Sequence, residues 1–447
     1  MEQTLQGESV DLLQALIRNE CVNDGSMESG HEERNADLLQ QVLEGAGLDV
    51  ERFTSAPGRT SLVARIEGFD PMAPKLCLMG HTDVVPVTPS GWTRDPFGGE
   101  LIDGEVWGRG AIDMLNITAT MAVSFRELAR SGFRPRGDLI FFGVADEENG
   151  GAYGAGWMVE HHWDAVACDY LLTESGGWTS GHRDGKRLVA INVAEKGLAW
   201  RRLRVHGTPG HGSLPWRADN ALIKAAEIVR RLDADRPKAQ LGDMWAGLID
   251  SQDLPSSTRE MLLDPAHVQE ALDVLPLRQA KRLHACSHMT ISPNAIHGGQ
   301  KTNTIPDSVI LDLDIRTLPG TSRDDVDHHL REVLGDLASD VEIELLAAGN
   351  ADASASPTNT PMWDALSRHV RQSDPNAEIV ATLGTGGTDA RFFRSKGVSA
   401  YGAALLSADM TLEQFAGRFH GNDERIDVGS LGLSADLWMA VAHDLVG

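Results

Sequence analysis

Residues 139–151 read LIFFGVADEENGG, an unbroken apolar run that stops at Asp146, Glu147 and Glu148 and is closed by two glycines. A short apolar run bounded by turn residues is the pattern of a strand buried on both faces, as in the parallel sheet of an α/β fold. An ionised carboxylate at the end of such a strand needs a metal, a partner or a shifted pKa, because burial penalises charge. An isolated acidic turn would be unremarkable surface. The weight of this one comes from other stretches that end in the same way.

Outward from this stretch, strands and helices alternate. VDLLQALI (10–17) and ADLLQQVLEGAG (36–47) have apolar residues at three- and four-residue spacing and predict two amphipathic helices, with Gly45 or Gly47 ending the second. LDVERF (48–53) and SLVARIEG (61–68) predict strands, and KLCLMG (75–80) is a second run buried on both faces. A glycine-rich loop, GEVWGRGAIDM (104–114), leads into a helix, ITATMAVSFRELARSG (117–132). After the opening stretch come a short helix around GAGWMVEHH (154–162) and the strand YLLTE (170–174). This alternation predicts an α/β domain with a mixed, largely parallel sheet flanked by helices.

From about Gly197 the pattern changes. LAWRRLRVHG (198–207) predicts a strand and NALIKAAEIVRRL (220–232) a helix, followed by a polar insertion of weak periodicity over about 233–283. In SVILDLDIR (308–316), Val309, Leu311, Leu313 and Ile315 share one face, and Asp312, Asp314 and Arg316 the other. That is a half-buried antiparallel strand. A helix capped by Ser322 and the strand VEIELLA (341–347) follow, and GNADASASPTNTP (349–361) reads as a return linker. The strands EIVATL (378–383) and VSAYGA (398–403) and a last helix resume the first pattern. The expected organisation is a catalytic domain in two parts, residues 1–197 and 351–447, interrupted by an inserted α+β lid or dimerisation domain, 198–350.

Composition narrows the function classes. The chain has 447 residues and a formal net charge of -25, which disfavours nucleic acid and acidic membrane surfaces as partners. No apolar run reaches the roughly 18 residues of a membrane span. The acidic start MEQTLQGESVDLLQ lacks the pattern of a secretory signal, and Cys21, Cys77, Cys168 and Cys286 are scattered without CxxC spacing. A cytoplasmic protein with reduced thiols is expected.

The strand ends supply the chemistry. His81 and Asp83 follow KLCLMG, Glu147 and Glu148 follow LIFFGVA, and Glu174 ends YLLT. Asp113 lies in the glycine-rich loop, and His420 in FHGNDERI near the end. Open α/β sheets bind ligands at the carboxyl ends of their strands. Two histidines with several carboxylates and no cysteine suit zinc, manganese or cobalt in a hydrolytic site rather than a structural zinc. A carboxylate can bridge two ions, and a free glutamate beside a ligating one is placed to act as general base. The spacing of His81 and Asp83 lets the Asp83 carboxylate accept the second ring N–H of His81.

GHTDVVP (80–86), GRGAIDM (108–114), DEENGG (146–151), TESGG (173–177), GTPGHGS (207–213), NTIP (303–306), GGTDAR (386–391) and HGNDERI (420–426) occur in that order. Together they resemble the dinuclear zinc peptidase and deacylase family of aminoacylase, glutamate carboxypeptidase, carnosinase-type dipeptidases, acetylornithine deacetylase and succinyl-diaminopimelate desuccinylase. The resemblance implies two divalent metal ions, zinc first, with manganese or cobalt possible. His81, Glu174 and a bridging Asp113 would bind one, and Glu148, His420 and the same Asp113 the other. It implies Glu147 as general base, Asp83 as the residue orienting His81, and a cis peptide after Asp113. It also implies a homodimer in which His211 reaches the neighbouring subunit's site, while Asn303 and Arg316 hold the substrate's carbonyl and carboxylate and Gly387 and Thr388 line the pocket.

Two motifs carry departures. The bridging aspartate is usually continued as DMKGG but here runs into Leu115 and Asn116, and Glu174 stands where aminopeptidases of the wider clan have Asp. The implied activity is hydrolysis of an amide bond beside a free carboxylate, in an N-acyl amino acid or a short peptide, by a deacylase or a carboxypeptidase or dipeptidase. The alternative is a catalytically silent metal- or peptide-binding protein on the same fold. Of the other histidines, His161, His162, His328 and His329 read as surface residues. Among the tryptophans, Trp107 is the one whose position beside GRG suggests proximity to the site.

Overall fold

The computed structural model describes residues 4–252 and 254–447; residues 1–3 and 253, in the expected first part and in the polar insertion, lie outside the described residues. The two continuous apolar runs form the strands Leu76–His81 and Leu139–Val144, every residue of both buried, paired in parallel with His81 opposite Val144. Because side chains alternate across a strand, each run feeds two cores. Leu76, Leu78, Leu139 and Phe141 pack with the helices Leu5–Arg18, Leu115–Arg130 and Val428–Val446. Cys77, Met79, Ile140 and Phe142 pack on the other face with the helices Ala155–His161 and Ala390–Arg394. This is the α/β class expected.

The sheet continues on both sides. Arg59–Ile66 and Val50–Ala56 extend it antiparallel beyond Leu139–Val144. On the other side Tyr170–Thr173 and Ser399–Gly402 add in parallel, then Lys186–Glu195, with Ala377–Gly384 parallel to it. Lys186–Glu195 was not recognised in sequence. Its Asn192 interrupts an apolar run, and in the fold that side chain is buried and accepts a hydrogen bond from the Gly384 amide at 3.0 Å.

A second, antiparallel sheet begins one residue later. Gly197–His206 lies between Ser308–Thr317 and Val341–Ala351, with Thr290–Gly298 at the edge beside Ser308–Thr317. Val309, Leu311, Leu313 and Ile315 face the helices Ala221–Ala234 and Arg323–Leu334, the latter closed by the capping box of Ser322 and Asp325. The polar face pairs its charges across strands, Arg202 with Asp312 through two hydrogen bonds of 2.7 and 2.8 Å. Lys196, the residue between the two sheets, is buried, and its ammonium donates to Ala285 O, His288 O and Thr290 Oγ1 at 2.9, 2.8 and 3.2 Å.

Two stretches differ from expectation. The weakly periodic insertion folds as four short helices, Trp245–Asp250, Ser256–Leu263, Val268–Val274 and Leu277–Ser287, around a small core including Trp245, Ile249, Leu262 and Leu272. Each buries too few positions to show a period. The expected return linker is partly strand: Val341–Ala351 runs into it, and Ser354–Ala355 pairs with Glu195 and Ala194.

A candidate dinuclear metal centre

The carboxyl ends of three sheet strands converge on one point. His81 is the last residue of its strand, Glu147 and Glu148 form a single 3-10 turn just after Leu139–Val144, and Glu174 follows Tyr170–Thr173. Asp113 arrives from the loop before the helix Leu115–Arg130, and His420 from the turn after Leu412–Arg418. Nε2 of His81 lies 3.2 Å from Asp113 Oδ1 and 4.0 Å from Glu174 Oε1. On the other side of Asp113, Oδ2 lies 2.7 Å from His420 Nε2, which is 3.4 Å from Glu148 Oε2. His81, Asp113 and Glu174 form one group with donor atoms within 4.8 Å of one another, and Asp113, Glu148 and His420 a second. Asp113 is common to both. The Asp113–Met114 peptide is cis, and Leu115 and Asn116, the departures from the family motif, are buried at the start of the following helix without altering a donor.

The donor chemistry fits two divalent cations. Burial, with repulsion from neighbouring carboxylates, pushes the donors Glu148 and Glu174 up from the usual carboxylate range. Burial opposes charge on the histidines too, yet the nearby carboxylates of Asp113 and Asp83 raise His81, and those of Asp113 and Glu148 raise His420 to about 10. Glu148 Oε1 is buried without a hydrogen-bond partner among the described residues. A cation bound to such donors replaces the protons they otherwise hold, which satisfies the carboxylates without leaving bare buried charge.

Asp83 does more than the sequence suggests. The nearest acceptor to His81 Nδ1 is the main-chain oxygen of Asp83 at 3.0 Å, with the Asp83 carboxylate at 3.5 Å. That carboxylate accepts instead from Asn23 Nδ2 at 2.9 Å and from the amides of Glu148 and Glu147 at 3.1 and 3.3 Å. It therefore holds the glutamate turn in place. Asp146, at a left-handed φ of 66°, accepts from the Tyr153 amide at 2.8 Å and lies 3.7 Å from Arg59 Nε. Glu147 Oε2 is 4.0 Å from His81 Nε2.

Several supporting residues escaped the sequence reading. Glu424 Oε1 accepts from the amides of Ile112 and Asp113 at 2.7 and 3.1 Å, while its Oε2 pairs with Arg109 at 2.5 Å. Burial pushes the Glu424 carboxyl up to about 7. Arg59 and Glu32 form a buried pair behind Asp146, and Asp389 is buried with both oxygens lacking a hydrogen-bond partner among the described residues, its carboxyl pushed up to about 7 by burial. The one available signal was Glu424, four residues beyond His420 in the same motif; the others stand alone in sequence.

The centre opens into a cavity of about 540 Å³ whose lining includes Asp113, Glu147, Glu148, Glu174 and His420 together with Trp178, Leu198, Leu383, Leu412, Phe415 and Phe419. Arg316, Gly387 and Thr388 also line it. Arg316 is forked onto Asp314 at 2.7 and 3.1 Å, and the Thr388 hydroxyl donates to Glu195 at 2.6 Å. His211 and Asn303 are not in this lining. They are exposed and adjacent on the second module, where Gly212 N donates to Asn303 O at 2.8 Å. Trp178 is the tryptophan in the lining; Trp107 packs under Arg425 instead.

The model of the family described as Peptidase family M20/M25/M40 matches residues 77–444. A succinyl-diaminopimelate desuccinylase of Gluconacetobacter diazotrophicus is 29% identical over 418 residues, covering 92% of this chain and 91% of its own. The N-fatty-acyl-amino acid synthase/hydrolase PM20D1 of Xenopus tropicalis is 25% identical over 399 residues, 87% of this chain and 75% of its own. Among solved structures, the metallo-carboxypeptidase Sso-CP2 of Sulfolobus solfataricus superposes with a TM-score of 0.72 at 18% identity, over 98% and 99% of the two chains. The YXEP protein of Bacillus subtilis, titled a dinuclear metal binding peptidase, gives 0.62 at 14% identity, over 97% of each. At these identities the structural likeness speaks for the fold alone.

Proposed function

This chain belongs to the Peptidase family M20/M25/M40, a family of metal-dependent hydrolases, and from that premise we propose that it hydrolyses an amide bond adjacent to a free carboxylate, in an N-acyl amino acid or a short peptide. His81, Glu174 and one oxygen of Asp113 would hold one cation, and Glu148, His420 and the other oxygen of Asp113 a second. When bound, such a pair polarises the amide carbonyl and acidifies a water. Zinc is the first candidate, and manganese or cobalt suit the same donors.

The observation that carries this reading is the division of labour in one turn. Glu148 belongs to a donor group, whereas its neighbour Glu147 belongs to neither and stands 4.0 Å from His81. Glu147 takes the proton of the attacking water and delivers it to the leaving nitrogen. Asp83, by accepting the amides of Glu147 and Glu148, keeps the two carboxylates in register. The apolar wall of Trp178, Phe415 and Phe419 favours an apolar acyl group or side chain.

A homodimer is part of the proposal. Leu214, Trp216 and Ile223, exposed to 73%, 84% and 67%, lie close in sequence to His211 on the second module, an apolar surface suited to a second copy. His211 and Asn303, exposed beside it, would then serve the partner's cavity, His211 polarising the carbonyl. The four free cysteines support a reducing, cytoplasmic setting; among the described residues no helix is long and apolar enough to cross a membrane.

The test is metal removal and return. Chelated protein should hydrolyse neither N-acetyl amino acids nor dipeptides, and activity should return with the second equivalent of zinc, manganese or cobalt. Full metal occupancy with no turnover on either substrate class would favour the silent binding protein.

A further inference from the structure

Among the described residues three guanidinium groups line the cavity, and two are already committed. Arg391 donates to the carbonyls of Thr388 and Gly150, each at 2.7 Å, and stacks on Phe392. Arg316, the residue the sequence nominates for a substrate carboxylate, is forked onto Asp314, two residues before it on the same strand. The third is Arg282, on the helix Leu277–Ser287 of the insertion. Among the described residues its guanidinium has no acceptor and no acidic partner.

An arginine that is largely desolvated and unpaired is costly, and burial lowers its pKa accordingly. Its charged neighbourhood offers no relief. One turn on, Cys286 is a buried thiol kept protonated by desolvation, and beyond it Lys196 is spent on the main-chain oxygens of Ala285 and His288. Those bonds fix the end of the helix and so hold Arg282 against the cavity. With Arg316 and Lys196 near this wall and Asp314 as the acid that faces them, positive charge is in excess. The wall built by the central sheet is, in contrast, acidic. A ligand spanning the two needs an amide at the acidic wall and an anion at the arginine.

We propose that Arg282 is the carboxylate-binding residue of this cavity, taking the free carboxylate of the N-acyl amino acid or C-terminal residue in the role that sequence assigns to Arg316. This rests on the amidase reading for the identity of the ligand, though not for the presence of an anion site. Planar guanidinium can engage both carboxylate oxygens, a geometry that lysine cannot supply.

The experiment measures binding where turnover is blocked. In zinc-loaded Glu147→Gln protein, N-acetyl-L-phenylalanine and its carboxamide are compared by calorimetry, with and without Arg282→Met or Arg282→Lys. The parent should prefer the acid by roughly 10- to 100-fold, the scale of hydrogen bonds to a charged group. Arg282→Met should erase that preference while leaving carboxamide affinity within about twofold, and Arg282→Lys should fall between. Arg282→Met should melt no lower than the parent, since the guanidinium has no protein partner to lose and its desolvation is costly. An undiminished preference in Arg282→Met, or no preference in the parent, overturns the proposal. Hydrolysis by the otherwise wild-type enzyme is read separately: acid binding through Arg282 without hydrolysis of any amide would sink the amidase reading and leave the anion site standing.

Discussion

Glu424 shows how much of the candidate metal centre rests on residues outside its two donor groups. Its carboxylate is fully buried, accepts the amides of Ile112 and Asp113, and pairs with Arg109. Glu424→Ala would strand two amides and a buried guanidinium together. Breaking a buried pair in this way costs about 3–5 kcal/mol, so the variant should unfold at clearly lower denaturant and bind less than two equivalents of metal. Unchanged stability and metal content would show that Asp113 is positioned by other contacts. The donor residues were legible because each ends an apolar run or sits in a glycine-flanked loop. Asn23, Glu32, Arg59 and Glu424 were not, since their partners lie far away in the chain and no local pattern marks a buried acceptor. Arg282 was illegible for the same reason, and the resemblance that gives Arg316 the substrate carboxylate does not show that Asp314 pairs with it.

The elements divide in the same manner. Continuous apolar runs and clean alternation, as in Leu139–Val144 and Ser308–Thr317, transferred directly into buried and half-buried strands. The insertion did not, because helices of 6 to 11 residues each bury only one to three side chains. The helix Leu277–Ser287 ends at His288, whose buried ring packs on His284 with centroids 4.3 Å apart and lies near Lys196. Burial first, then the charge of His284, lowers His288 from 6.5 to about 4. Between those values the unfolded chain binds a proton that the folded chain refuses, so stability is full above about pH 6.5 and declines as pH falls toward 4. Melting curves from pH 7 to 4 should therefore fall more steeply for the wild type than for His288→Leu. Parallel curves would mean that His288 titrates normally in the fold.

Across the chain as a whole, the order of eight motifs is enough to place it among the metal-dependent hydrolases of its family. Coordinates added what order cannot carry: Asp113 lies between two donor groups, and Glu147 stands apart from both. The second sheet and its helices, tied at Lys196 to the helix Leu277–Ser287, present Arg282 to the cavity and His211 to an exposed surface, so the substrate's ends would be read by different parts of the chain. In the proposed reaction Glu147 moves the proton while Glu148 holds a metal. Glu147→Gln keeps the size of the side chain and removes its basicity. Measured on one preparation, metal content should stay at two ions per chain, while turnover of an N-acyl amino acid or dipeptide should drop by roughly two orders of magnitude or more. Turnover retained with both ions bound would contradict the account.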